Sequence, residues 1–255
     1  MKMEDKSWNR KGVRAQVTIF VIVAIVIVSV ILVFFLWVQP NFLGDGPKRL
    51  GFEGCVLDAV EIAITDLGPN AGFVNPEFIY NHLGIKYPYL CYTNEYYKTC
   101  TIQVPFLKQH FEEGVEQKIR DSVNVCYSSA INDLKSRGYD VVSGDVNYEF
   151  ILEPGIYRVE IEAPTVIGGA RFQKFNIRSN SPLYNMLIIS TSILQFESEL
   201  GDSDLDSIRL FYPEFSVNKL KQGDGTTVYT MKSKLTGDEF NFASRSLAWP
   251  AGYDV

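Results

Sequence analysis

The sequence predicts an α+β protein: an N-terminal transmembrane helix followed by an extracytoplasmic domain with two antiparallel, disulfide-linked helices and an antiparallel β-meander. Three observations predict it. An uncharged apolar run lies near the start, all four cysteines lie beyond it, and the hydrophobic period changes from helical to strand-like near Val146.

Residues 1–15 carry Lys2, Lys6, Arg10, Lys11 and Arg14 against Glu4 and Asp5, net +3, and read as a cytoplasmic basic leader. Val17 to Val38 then holds 22 residues without an ionisable side chain. At helical rise that is about 33 Å, the thickness of a bilayer's hydrocarbon core. Residues 16–39 are therefore expected to cross a membrane as a helix in contact with lipid, since an isolated strand would leave its backbone unpaired there. The basic flank stays inside, which places everything after the span outside the cell. The run is too long, and its exit "FFLWVQPNF" too bulky, for a cleaved secretory signal. Residues 40–51, rich in Pro and Gly, form a linker.

Beyond the leader and the uncharged run the chain sums to −9, by difference from the total of −6. Nucleic acid is excluded as a partner, because phosphate binding needs a concentrated basic face. Four cysteines on the outer side predict disulfides. Of three pairings, Cys91 with Cys100 is local, bracketing the hairpin-sized "YTNEYYKT", which leaves Cys55 with Cys126. The alternatives are free buried thiols or a metal site, the latter lacking any C-x-x-C pair.

Residues 52–255 make the α+β domain, divisible at 52–138 and 139–255. Phe52, Val56, Val60, Ala63 and Leu67 recur at helical spacing until Gly68-Pro69. A second helix opens near Pro105 with Leu107, Phe111, Val115 and Ile119 four apart and runs past Cys126, as one helix or two. Cys55 begins the first helix and Cys126 lies late in the second, so antiparallel packing would bring them together. "VNYEFILEPGIYRVEIEAPTV" is two strands joined at Glu153-Pro154-Gly155, and "RFQKFNIRS" is a third. A buried helix capped by Ser181 with Pro182 at its first position follows, and "SVNKLKQ", "TTVYTMKSK" and "DEFNFASRS" close the chain as hairpin-like strands. Runs of helix followed by runs of strand point to α+β.

Catalytic motifs are missing. His82 and His110 lie outside any H-E-x-x-H and read as surface residues; "SVNK", Ser216 to Lys219, matches S-x-x-K without its companion motifs. No cofactor is expected. Two binding candidates stand out. Tyr87, Tyr89, Tyr92, Tyr96 and Tyr97 offer a recognition surface, tyrosine giving contact area and a hydrogen bond at low entropic cost, or else pack across strands. Asp202, Asp204 and Asp206 occupy positions 1, 3 and 5 of a calcium loop, but Ser207 replaces its glycine and Pro213 its bidentate glutamate, so a solvated acidic turn competes with a weak calcium site.

The residues "RAQVTIF", Arg14 to Phe20, resemble the junction of archaeal type IV pilin-like proteins, in which a basic leader is cleaved after a small residue and the mature part begins with Gln. On that likeness Ala15 and Gln16 form the cleavage junction, and Thr18 stands where the family has Ser. Phe20 replaces the family's Glu, which serves subunit registration, and this departure tells against polymerisation. With "GTTVYTMKSKLTGDEFNFASRS" and the cysteine-bearing first helix, the chain is similar to uncharacterised single-pass surface proteins of archaea. That likeness implies a cell-surface position and no particular activity.

The expected function is that of a membrane-anchored cell-surface protein, non-enzymatic, which binds a protein partner or contributes to envelope structure. The alternatives are a pilin-like filament subunit and a membrane-tethered hydrolase whose site is assembled from distant residues.

Overall fold

The computed structural model describes residues 22–30 and 51–248. The expected transmembrane helix is not found: among the described residues no helix is long and apolar enough to cross a membrane. Of the run 16–39, residues 22–30 are described, as an exposed helical stretch. Nine residues rise only about 13 Å, less than half the hydrocarbon thickness. The rest of that run, the leader 1–15, the junction Ala15–Gln16 and residues 40–50 lie outside the described residues.

The domain is α+β and carries two disulfides. Its first helix, α1 (Glu53–Leu67), buries Val56, Val60, Ala63, Ile64 and Leu67 at three- and four-residue steps. A 3-10 turn, Gly68–Asn70, ends it. A side chain at Gly68 is excluded, since its Cβ would stand 2.1 Å from the Glu239 carbonyl oxygen. α2 (Leu107–Ser136) is one unbroken helix of 30 residues burying Phe111, Val115, Ile119, Val123 and Tyr127. It runs against α1 in the opposite direction: Cys55 bonds Cys126 with Cα atoms 5.8 Å apart, Lys118 pairs with Asp66, and Gly114 faces Gly72. A Cβ on Gly114 would lie 2.4 Å from the Gly72 carbonyl oxygen, so the two backbones approach too closely for any side chain between them.

Two sheets complete the domain. In the antiparallel sheet, β5 (Asn147–Glu153), β6 (Ile156–Ile167) and β7 (Ala170–Asn180) form a meander, with the short β4 (Val141–Ser143) on the same side of β6 as β5. Pro154-Gly155 makes the first turn, Gly155 taking φ +79°. Along β6 the residues alternate buried and part-buried, with Tyr157, Val159 and Ile161 inward.

The second sheet is mixed, in the order β1 (Ile79–His82), β2 (Ile85–Tyr92), β10 (Glu239–Arg245), β9 (Thr226–Ser233), β8 (Phe215–Lys221), with β3 (Thr101–Ile102) also on β2. The closing three strands are the expected antiparallel set, but β10 runs parallel to β2. Parallel neighbours need a long crossover, and here everything between β2 and β8 supplies it.

α3 (Leu183–Leu200) buries Leu183, Met186, Leu187, Ser190, Leu194 and Glu197 and touches both sheets. Its start is held by Ser181, whose Oγ accepts the Leu183 amide at 3.3 Å. One core includes Val56 of α1, Val115 of α2, Leu187 of α3, Phe150 of β5 and Phe242 of β10. The last helix, α4 (Asp206–Phe211), lies across the stretch read from sequence as a calcium loop.

Candidate functional site

An open groove of about 1120 Å³ lies between the end of α3, α4 and β8. Gly201 creates it. In the left-handed conformation (φ +81°) it stops α3 and turns the chain aside, and buried Leu205 pins the turn before α4 begins. Phe196, Leu200, Ile208 and Leu220 give the groove apolar walls, and Asp202, Lys219 and Lys221 give it charge.

Those charges pair with each other. Asp202 accepts from Lys219 and, at 3.1 Å, from Lys221. Burial works to raise the Asp202 carboxyl's pKa, but the two ammonium groups outweigh it and hold the group below the usual range. Lys219 also donates to the Ser203 carbonyl at 2.7 Å.

Under the groove lies a polar cluster that sequence reasoning missed. Glu197 is 1 % exposed and bonded on both oxygens: the Tyr229 phenol donates to Oε1 and Ser244 Oγ to Oε2 at 2.9 Å. Ser203 Oγ lies 2.7 Å from the Tyr229 oxygen and, because the phenol's proton goes to Glu197, acts as the donor there. Burial raises the Glu197 carboxyl's pKa, with the two hydroxyls pulling less strongly the other way. Burial and the adjacent carboxylate push the Tyr229 phenol well above its ordinary value. A phenol so reluctant to ionise is a poor relay from Ser203 to Glu197, and the chain of hydroxyls serves to tie α3 to β9 and β10. One sequence signal was present: Glu197 falls three residues after Leu194, on the buried stripe of its helix.

The three aspartates do not converge. Asp202 belongs to the lysines, Asp204 Oδ1 accepts the Asp206 amide at 3.1 Å, and Asp206 pairs with Arg209 at the start of α4. Among the described residues no group of three His, Cys, Asp or Glu side chains could hold a metal ion.

The five tyrosines divide. Tyr87 and Tyr89 are buried with Val228 and Ala243 in a small cluster separate from the main core. Ala243 on β10 is small enough for Tyr89 to cross it and place its hydroxyl 2.9 Å from Thr226 Oγ1 on β9. Burial raises the Tyr89 phenol's pKa. Tyr92 is half-buried, with the Arg245 guanidinium 5.6 Å from its ring centre. Phe78 packs against both, at 4.7 Å from Tyr89 and 4.6 Å from Tyr92. Only Tyr96 and Tyr97, 74 % and 80 % exposed in the loop closed by Cys91–Cys100, are free for contact. Cross-strand packing thus claims the strand tyrosines.

The remaining motifs resolve simply. Ser216 and Lys219 lie three apart on a strand and so face opposite ways, which forbids an S-x-x-K pair. His110 is not a surface residue of the expected kind. It packs on Phe73 with ring centres 4.3 Å apart, its Nε2 is buried without a partner among the described residues, and burial lowers its pKa.

Comparison with family models, with curated proteins and with solved structures finds no match for this chain. The N-terminal residues that resemble the pilin-like junction stand alone in suggesting that kinship.

Proposed function

We propose that the protein is an extracytoplasmic, non-enzymatic binding protein, which holds a partner at the cell surface or in the envelope through a disulfide-closed α+β domain. The observation that carries this reading is the groove beside β8. It offers apolar walls and a charged rim, its ionic groups are matched with one another, and its buried serine, Ser203, is hydrogen-bonded to a phenol rather than to a base. The location is supported by Cys55–Cys126 and Cys91–Cys100, which leave no free cysteine and persist in an oxidising compartment.

Both halves of the reading are testable in intact cells. Quenching with a thiol-alkylating reagent before disulfide mapping should recover both bridges, and a membrane-impermeant amine reagent should label exposed Lys98. Alkylated cysteines with an unlabelled Lys98 would place the protein inside and end the proposal. For the binding half, Phe196→Asp with Leu220→Asp should abolish cross-linking to the partner that wild type captures, at unchanged circular dichroism. Undiminished cross-linking would remove the groove from that role.

A further inference from the structure

We propose that the open edge of β7 is a strand-addition site for an acidic, extended segment of a partner protein; the inference rests on the binding role proposed above and names the kind of partner. β7 is eleven residues long and pairs only with β6 among the described residues. Its hydrogen-bonding phase follows from the end of the ladder. The Ser181 amide donates to the Gly155 carbonyl at 3.0 Å, one step beyond the pair Ile156↔Asn180. Bonded and non-bonded pairs alternate in an antiparallel ladder, so Ser179, Ile177 and Phe175 spend their amides and carbonyls on β6. Asn180, Arg178, Asn176 and Lys174 direct theirs away from the sheet, and all four residues are exposed.

The other side of the same sheet is treated differently. On β5 the amides of Phe150 and Leu152, which point away from β6, are taken by the carboxylates of Glu116 and Glu112 on α2 at 2.8 and 2.7 Å. Among the described residues the fold closes one edge and leaves the longer one open.

Charge selects the occupant. β7 contains Arg171, Lys174 and Arg178 and no acidic residue, in a chain of net charge −6. Lys174 holds a solvent-exposed ion pair with Glu162, directly across on β6, at 2.5 Å. Arg178 stands across from Arg158, whose own charge is met by Glu153 and Glu160, and Arg171 and Arg178 form no ion pair among the described residues. A second copy is a poor partner, because antiparallel pairing centred on Asn176 would set Lys174 against Arg178 twice, and like charges on opposed rungs repel. A foreign strand with carboxylates four residues apart answers the unpaired Arg178 with one of them and shares Lys174 with Glu162 through the other, an exposed pair of this kind being weak, since the two cations stand about 13 Å apart along the strand. The main chain supplies the rungs and the charges supply the selection.

The test uses the whole chain and two peptides, acetyl-TETVTET-amide and its counterpart with lysine in place of glutamate. The glutamate peptide should bind at least tenfold more tightly and slow hydrogen exchange at the amides of Lys174, Asn176 and Arg178. Asn176→Pro deletes an outward amide without touching a rung to β6, and should weaken binding at least tenfold at unchanged thermal midpoint. Should that variant fold poorly, Lys174→Glu with Arg178→Glu should reverse the preference between the peptides. Equal affinity for the two peptides, unprotected β7 amides, or self-association of the chain through β7 would each overturn the proposal. None of these outcomes touches the disulfides or the labelling of Lys98, so a failure here is distinguishable from a failure of the extracytoplasmic reading.

Discussion

The two sheets meet their helices through the same residue type used in opposite ways. Beneath the mixed sheet, Glu197 is sealed in and both oxygens are satisfied by hydroxyls of β9 and β10. Along the antiparallel sheet, Glu112 and Glu116 stay at the border and accept main-chain amides of β5. Their spacing explains the fit: four residues of helix advance about 6 Å and two strand residues advance about 6.7 Å, so i, i+4 on α2 matches i, i+2 on β5. A carboxylate near water can exchange a lost partner for solvent, whereas a sealed one must be answered by protein on every side. The mixed sheet should therefore tolerate damage to its glutamate far less well.

The largest effects should come from the covalent ties, which also fall on different sides of the contrast. Cys55–Cys126 closes a loop with sequence separation 71 and joins the helix pair; Cys91–Cys100 closes one of 9 within the mixed sheet. Replacing the first pair with alanine should cost about 4 kcal/mol and the second about 2.5 kcal/mol in the chain-entropy description, measured by urea unfolding. Equal losses would mean that the unfolded chain already holds the two helices together. Next in size is Glu197→Ala, which strands the Tyr229 and Ser244 hydroxyls in the core and should cost about 2 kcal/mol, against about 1 kcal/mol for Glu116→Ala at the sheet edge. If the edge variant loses as much as the core variant, the distinction between the two glutamates is broken.

The parts of this architecture written in local pattern were readable from the sequence, and the parts made by long-range pairing were not. Val56, Val60, Ala63 and Leu67 declared α1 by spacing alone, and the cysteines at the two helices declared their bond. The β6 strand announced itself by alternation. The parallel pairing of Ala243 with Tyr89 left no local mark, because nothing in either strand depends on the other until the chain has folded. For the same reason, nothing local singled out Glu112 and Glu116. The aspartates left two readings open, a solvated acidic turn and a weak calcium site: Asp202, Asp204 and Asp206 have ligand spacing, and lysines from β8 and the start of α4 engage them. The uncharged run at the N-terminus suggested a membrane span, and the nine described residues within it form no helix long enough for one.

The smallest predicted effect is the most specific, because it reads the buried glutamate's charge apart from its hydrogen bonds. In Glu197→Gln the amide oxygen can still accept from Tyr229 and the amide nitrogen can donate to Ser244 Oγ, so the network survives without a titrating group. In wild type, burial raises the folded-state pKa of Glu197 above the ordinary 4.5 that it regains on unfolding. The folded protein then holds the proton more tightly than the unfolded chain does. Its contribution to stability is fully present below pH ~4.5 and is lost as pH rises through the folded value. Asp202 has the opposite shift, contributing stability that is lost on acidification, but it is common to both proteins and drops out of their difference. Thermal midpoints of wild type and Glu197→Gln should therefore agree most closely near pH 4 and separate in favour of the glutamine variant as pH rises, then run parallel. A difference that stays constant from pH 4 to 8 would mean that Glu197 titrates alike in the folded and unfolded chain. The contrast between the two sheets would then rest on hydrogen bonds alone.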